Sequence, residues 1–154
     1  MQTSFIKKIT SVLEFEKLID DISDLYNKSD MCHIFNMRYD LNLIKKSLAH
    51  ESLLLWNIHV WGNFNGDKWD GIFIGIIRKS EKINKKIMEE YIWFSQNSIK
   101  GINLLNEAID FAKKNKCDLI TLSIMESFAS KDKLKLVYEK LGFVKDLESY
   151  SKLL

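Results

Sequence analysis

EEYIWFSQNSIKGINLLNEAIDFAKKN, from Glu89 to Asn115, reads as a strand that turns directly into a helix. Apolar and aromatic residues run from Tyr91 to Phe94, and polar Ser95, Gln96, Asn97 and Ser98 follow. Gly101 punctuates, and then Ile102, Leu105, Ala108, Ile109 and Ala112 recur at helical spacing. A junction of this kind turns several backbone N–H groups toward one spot. With the partial positive charge of a helix start, that spot can hold a phosphate.

Outward from this junction the chain alternates between the two periodicities. Toward the N-terminus, Ser4 to Ile9 reads as a short strand, and Ser11-Val-Leu-Glu14 has the form of a capping box. Phe15, Leu18, Ile19, Ile22, Leu25 and Tyr26 follow at spacings of three and four, predicting a helix from Val12 to Tyr26. Asn27 to Arg38 is polar and irregular. Asp40 can cap a second helix through His50, with Leu41, Ile44 and Leu48 along one side.

From Leu53 the period changes, as Trp56, Ile58 and Val60 alternate with Asn57, His59 and Trp61, a strand with one face better buried than the other. Asn65-Gly66 is the strongest hairpin signal. The return strand from Trp69 to Arg78 is nearly all apolar after Gly71, so both its faces should be covered, and Ile87 to Phe94 makes a third consecutive strand. Beyond the helix from Ile99 to Lys114, Asn115 can take the left-handed cap position, with Lys113 and Lys114 complementing the helix's negative end. Leu119 to Met125 is β-rich, and its link through a helix implies a parallel crossover. Ser130 can cap a last helix bearing Leu134, Val137, Tyr138 and Leu141 on one face; Gly142 ends it, and Phe143 to Leu154 supplies a final strand.

The 154 residues, 46% of them hydrophobic, suit one domain spanning 1–154. A net charge of +2 argues for no particular partner; with lysines interleaved among acids no basic stripe forms, so the Lys131, Lys133, Lys135, Lys140 cluster reads as a solvated helix face, with nucleic-acid association through it the weaker alternative. The longest apolar run, Ile72 to Ile77, is far shorter than the ~20 residues a membrane span needs, and Met1 to Thr10 lacks a signal-peptide core. Cys32 and Cys117 lie far apart with no CxxC pair, so reduced thiols in the cytoplasm are expected, without a disulfide or zinc site. His33, His50 and His59 lack metal-ligand spacing, and His59 reads as a half-buried strand histidine.

Two segments resemble the GNAT N-acetyltransferase family. Val137-Tyr-Glu-Lys-Leu-Gly-Phe143 matches that family's C-terminal LYEKLGF signature almost letter for letter. Ser98-Ile-Lys-Gly101-Ile-Asn103 sits where the family carries Arg/Gln-x-x-Gly-x-Gly/Ala; Gly101 and the helix after it match, while Ser98 replaces the Arg/Gln and Asn103 the second small residue. The ending Glu148-x-Tyr150-x-Lys152 is similar to that of short GNAT proteins from bacteriophages, which would place the chain in a host cytoplasm.

The resemblance implies an α/β fold, a mixed, mostly antiparallel central sheet flanked by helices, and transfer of an acetyl group from acetyl-coenzyme A to an amine without a metal. It implies that the diphosphate rests on the N–H groups of Ser98, Ile99, Lys100, Gly101, Ile102 and Asn103, and that Trp93, Phe94 and Ser95 offer their backbone to the pantetheine arm as a strand would. Trp93 can equally be core. A lysine-like amine is neutral in only about one molecule in 2,500 at pH 7, so a carboxylate base would help. Glu89 and Glu90 are the candidates; neighbours on a strand face opposite ways, and the spacing to the loop favours Glu90. In the family the Tyr of the C-terminal motif, here Tyr138, protonates the departing thiolate; here it can equally fill the apolar stripe. The Asn that commonly precedes this Tyr is absent, and Lys131, near that place, could meet a phosphate. Ser98 and Asn103 also suit a second reading, a GNAT fold that binds without catalysing. The acceptor amine, small molecule or protein, is not legible.

Overall fold

The computed structural model describes residues 4–29, 39–51, 57–124 and 131–146. They fall into two compact units, Met1–Lys28 with Asp40–Leu122, and Ser29–Tyr39 with Ser123–Leu154.

The first unit contains β1 (Phe5–Ile9), α1 (Val12–Asn27), α2 (Leu41–Glu51), β2 (Ile58–Phe64), β3 (Trp69–Ser80), β4 (Lys85–Ser95), α3 (Ser98–Lys114) and β5 (Leu119–Thr121). The five strands form one sheet in chain order, antiparallel except for the parallel β4–β5 pair that follows the α3 crossover. Ser11 caps α1, its Oγ accepting from the Glu14 N–H at 3.2 Å, but the Glu14 carboxylate pairs with Lys7 of β1, where the capping box would turn it back to the Ser11 N–H. Asp40 caps α2 by accepting from the Leu43 N–H at 2.9 Å, and Leu41, Ile44 and Leu48 are buried as their spacing predicts. The β2–β3 hairpin turns at Asn65-Gly66, with Gly66 at φ +99° and the Asn65 N–H bonded to the Lys68 carbonyl at 3.0 Å.

Among its described residues, β2 does not have the one favoured face that the alternation predicts. Val60 and Trp61 are both fully buried, because α1 packs on one side of the sheet and α3 on the other. On the α1 side the Tyr26 ring meets Phe94 edge-on at 5.8 Å; on the α3 side Phe111 meets Trp61 at 5.3 Å. Leu53, Trp56, Met125, Ser130, Cys32, His33 and the ending from Glu148 lie outside the described residues.

Asn115 is not the left-handed residue. It has φ −89°, and Lys116 takes that conformation at φ +56°. The Lys116 N–H bonds to Lys113 O at 3.0 Å and the Cys117 N–H to Ala112 O at 2.9 Å, the paired bonds of a Schellman stop shifted one residue along. β5 is three residues long, shorter than the β-rich run.

In the second unit α4 (Lys131–Lys140) ends by the same device. Gly142, at φ +83°, donates to Glu139 O at 3.0 Å, and Phe143 donates to Tyr138 O at 2.9 Å. The Phe143 and Tyr138 rings lie 5.5 Å apart, supplying the apolar contact that accompanies such a stop. Residues 143–146 form no strand.

His59 stacks on Phe111 at 4.5 Å, and its pKa is pushed down to about 4 by burial and then by the positive charges of Lys8 and Lys86. Between that value and the ordinary ~6.5, the unfolded chain binds a proton that the folded chain refuses. The stability His59 contributes is therefore complete above the unfolded value and is lost as pH falls toward the folded one. Melting temperature should drop between pH 7 and pH 4.5, and His59→Phe should flatten that slope; an unchanged slope in the variant would refute this assignment.

Candidate active site

The strand, loop and helix read from Glu89 to Asn115 are present, and the loop is held from three sides. Ser95 Oγ donates to the Asn97 carbonyl at 2.8 Å. The Gln96 N–H donates to the Asp70 carbonyl in β3 at 3.0 Å. Asn97 caps α3 with an extended backbone, its side-chain oxygen accepting from the N–H groups of Ile99 at 3.0 Å and Lys100 at 3.1 Å. The Gly101 N–H begins the helical ladder on Asn97 O at 2.9 Å. The helix mouth thus answers two of its own N–H groups with a carboxamide oxygen, the neutral counterpart of the phosphate oxygen expected there.

Gly101 is required by packing. A Cβ there would lie 3.1 Å from the Ser95 Cβ and 3.7 Å from Trp93 Nε1, and Trp93 Nε1 donates to the Gly101 carbonyl at 3.0 Å. The first turn of α3 therefore lies directly on the end of β4, and Trp93 is a tie between them. Phe94 is buried on the opposite face, Ile99 is 70% exposed at the mouth, and Asn103 is exposed. Asn103 opens on a groove of about 420 Å³ beside β1, with Ser4, Asn63, Lys100 and Asn106.

Lys100 is fixed as well. Its ammonium lies 3.1 Å from Asp70 Oδ2, and the other Asp70 oxygen takes the Asn63 side-chain amide. Asp70 and Asn63 are buried, at 5% and 2% exposure, while the Lys100 side chain is part-exposed, so the ion pair is screened less than one between two surface groups. The sequence reading did not single out either residue. Both flank the Asn65-Gly66 turn and pass for turn polarity; only the pairing of β2 with β3 reveals them as the floor beneath the loop.

β4 leaves the ladder early on one side. Its last pair with β5 is Glu89 with Thr121, and Glu90 to Ser95 run on with no β5 partner among the described residues. A register shift between Ile74 and Gly75 pairs Ile74 with Ile92 and Gly75 with Glu90, leaving Tyr91 as the extra residue of a bulge. The Glu89 carboxylate is held by two hydrogen bonds from the Arg78 guanidinium, and Glu90 stands across from Gly75 at the bulge.

Tyr138 and Lys131 share α4 in the second unit. Tyr138 is buried, and its Oη donates to the Ser123 carbonyl at 3.3 Å; Lys131 opens the helix. Burial pushes the Cys117 thiol pKa up, away from the thiolate a nucleophile needs. Among the described residues no three His, Cys, Asp or Glu side chains gather as a metal site, and no helix is long and apolar enough to cross a membrane.

No protein-family model matches the sequence, and no curated protein matches it. Solved structures do. An aminoglycoside acetyltransferase from an uncultured soil metagenomic sample, in complex with sisomicin, superposes with a TM-score of 0.68 at 13% identity, covering 98% of this chain and 96% of that one. The fold is that of the GNAT acetyltransferases. A ribosomal-protein-alanine N-acetyltransferase from Brucella melitensis biovar Abortus 2308 reaches 0.69 at 13% identity over 99% of this chain and 100% of its own. A transcriptional regulator from Bacillus halodurans C-125 gives 0.69 at 15% identity over 99% and 100%. The GNAT fold is thus found under names that differ in activity, so function has to be argued from the site.

Proposed function

We propose that the chain is an acyl-coenzyme A-dependent N-acyltransferase in which an acceptor amine attacks the thioester directly. The observation that carries this reading is the continuity of β4 beyond its last described pair with β5, from Glu90 to Ser95, with the mouth of α3. An elongated thioester needs both parts, an edge for the amides of its arm and a positive helix end for its diphosphate.

The thioester supplies an activated acyl group. The backbone of Trp93, Phe94 and Ser95 pairs with its arm. The diphosphate takes the N–H groups at Ser98, Ile99 and Lys100, displacing the Asn97 carboxamide, while Gly101, Ile102 and Asn103 continue the turn behind them. The amine adds to the carbonyl carbon, the C–N bond forms, and the C–S bond breaks. Glu90, directly or through water, takes the proton lost by the amine, since Glu89 is committed to Arg78. Tyr138 Oη, its proton resting on the Ser123 carbonyl, protonates the leaving thiolate. Lys131 meets a phosphate of the nucleotide.

The acceptor is an amine of a small molecule or a protein. The phage-type ending at Glu148, Tyr150 and Lys152 supports a phage-encoded protein working in a host cytoplasm. Thiol release from acetyl-coenzyme A, followed across a panel of polyamines, aminoglycosides and peptide N-termini, tests the reading; no amine-stimulated release in the panel would turn it toward the second one. That second reading is a GNAT fold retained for binding. It is favoured by Asn97 filling its own helix mouth and by Ser98 and Asn103 at the motif positions.

Asn97→Gly separates cap from cradle. Glycine costs an N-cap only a few tenths of a kcal/mol relative to Asn. Two N–H groups are then released to a charged acceptor, which they bond more strongly than a neutral one, by about 1 kcal/mol. Coenzyme A should bind this variant roughly fivefold more tightly. Equal or weaker binding in a folded variant would mean that the ligand does not use these groups.

A further inference from the structure

The floor of the groove between β1 and α3 holds a buried oxygen that the rest of the fold does not use. Phe64 pairs with Trp69 and Asn63 with Gly71, which leaves Asp70 as the extra residue of a bulge, its carboxylate turned to Lys100 in the first turn of α3. Paired with that ammonium, the carboxylate only accepts, so the Asn63 amide presents its N–H to it and Asn63 Oδ1 faces away. Asn63 stands on the α3 face of the sheet: a Cβ on Gly71 would lie 3.0 Å from Leu104 Cδ1 and 3.4 Å from Asn63 Cβ. Asn63 is 2% exposed and lines the groove, and among the described residues no hydrogen bond reaches its Oδ1. Buried side-chain oxygens are in the large majority bonded, to protein, to water or to a ligand.

The rest of the groove restricts the charge of what can fill it. Lys100, Asn103 and Glu107, three and four residues apart, form one stripe of α3, with Asn106 beside it and Ile6 of β1 also lining the space. The Lys100 ammonium, 3.1 Å from Asp70, and the positive start of α3 both oppose a second cation beside Asn63. The Glu107 carboxylate, exposed and in no ion pair among the described residues, and the bare Asn63 oxygen both oppose an anion. Asn103 and Asn106, both exposed, each offer a donor and an acceptor. The space, about 420 Å³, is within the range of small-molecule sites.

We propose that this groove is a binding site for a neutral polyhydroxylated ligand of sugar size. One hydroxyl donates to Asn63 Oδ1 and a second to the Glu107 carboxylate, others exchange hydrogen bonds with the carboxamides of Asn103 and Asn106, and a C–H face rests on Ile6. A hydroxyl is donor and acceptor at once, so several of them match walls that offer both functions without bringing a charge to the floor. The coenzyme reading uses the backbone N–H groups at the helix mouth, whereas this site uses side chains on the β1 side of α3, so the inference does not rest on that reading.

The test is nuclear magnetic resonance of the isotope-labelled intact chain, with the Asn63 side-chain amide as reporter, titrated with three sugars of similar shape and different charge: glucose, glucuronate, and deoxynojirimycin in its protonated form. Glucose at millimolar concentration should give saturable shifts at Asn63, Ile6 and Glu107, and should bind roughly fivefold more tightly than either charged analogue. Glu107→Ala removes an exposed side chain and keeps the fold; it should weaken glucose binding about tenfold. Asn63→Leu should abolish binding. Because it also strips Asp70 of a partner, its melting temperature is read alongside, and Glu107→Ala decides the matter if the leucine variant does not fold. No saturable shift with any of the three sugars would overturn the proposal and leave Asn63 Oδ1 to a water molecule. So would a charged analogue binding as tightly as glucose, or an unchanged glucose affinity in Glu107→Ala.

Discussion

Tyr138→Phe should lower turnover roughly 10²- to 10⁴-fold, the range that a positioned proton donor contributes, while leaving the affinity for coenzyme A unchanged. The substitution removes one oxygen and keeps the ring. The contact with Phe143 survives, as do the backbone bonds that end α4, because Tyr138 joins them through its carbonyl. The lost bond to the Ser123 carbonyl, 3.3 Å long, is worth about 1 kcal/mol of stability at most. A large kinetic loss beside a small thermal shift is therefore expected, read by thiol release and by melting temperature on one preparation. Turnover within threefold of the parent chain would remove Tyr138 from the chemistry and leave it as a helix-end residue.

Gly101→Val should do the reverse, damaging the fold and the proposed coenzyme site together. Even a single Cβ at Gly101 meets Ser95 Cβ at 3.1 Å, and valine adds two methyl groups where the first turn of α3 rests on β4. The helix has to lift, breaking the bond from Trp93 Nε1. Overpacking of this kind costs about 1–3 kcal/mol, and the lost hydrogen bond adds about 1. Valine's helix propensity, slightly better than glycine's, returns only a few tenths of that. Urea denaturation should show the loss, and coenzyme A binding should disappear even under conditions where the variant is folded. Full stability in Gly101→Val would show that the close approach of strand and helix is not what this glycine serves.

The two motifs were legible in the sequence for reasons that differ from their chemistry. In Val137 to Phe143, Gly142 is the left-handed stop, Phe143 the residue after it, and Tyr138 the residue they bond back to. Much of what makes the run recognisable is a helix ending, and only the Tyr138 hydroxyl is left over for the role proposed for it. Gly101 likewise announces itself because β4 and α3 touch there.

The consecutive strands and the hairpin at Asn65-Gly66 could be read because strand composition and turn chemistry are local. The covering of both faces of β2 could not, since it depends on which helices land on either side. Asn97 carried a local signal, an Asn directly before a helical pattern, but that signal speaks only of capping. Asp70 and Asn63 carried none. Their meaning comes from strand pairing and from Lys100, 30 residues further along the chain than Asp70.

Isothermal titration of coenzyme A into the intact chain, beside titration of pantetheine, tests the central claim most directly. The account predicts that coenzyme A binds with an affinity that pantetheine lacks, and that Asn97→Gly strengthens the first without altering the second. Absence of coenzyme A binding at millimolar concentration, or equal affinity for the two ligands, would contradict the assignment of the α3 mouth as a diphosphate site.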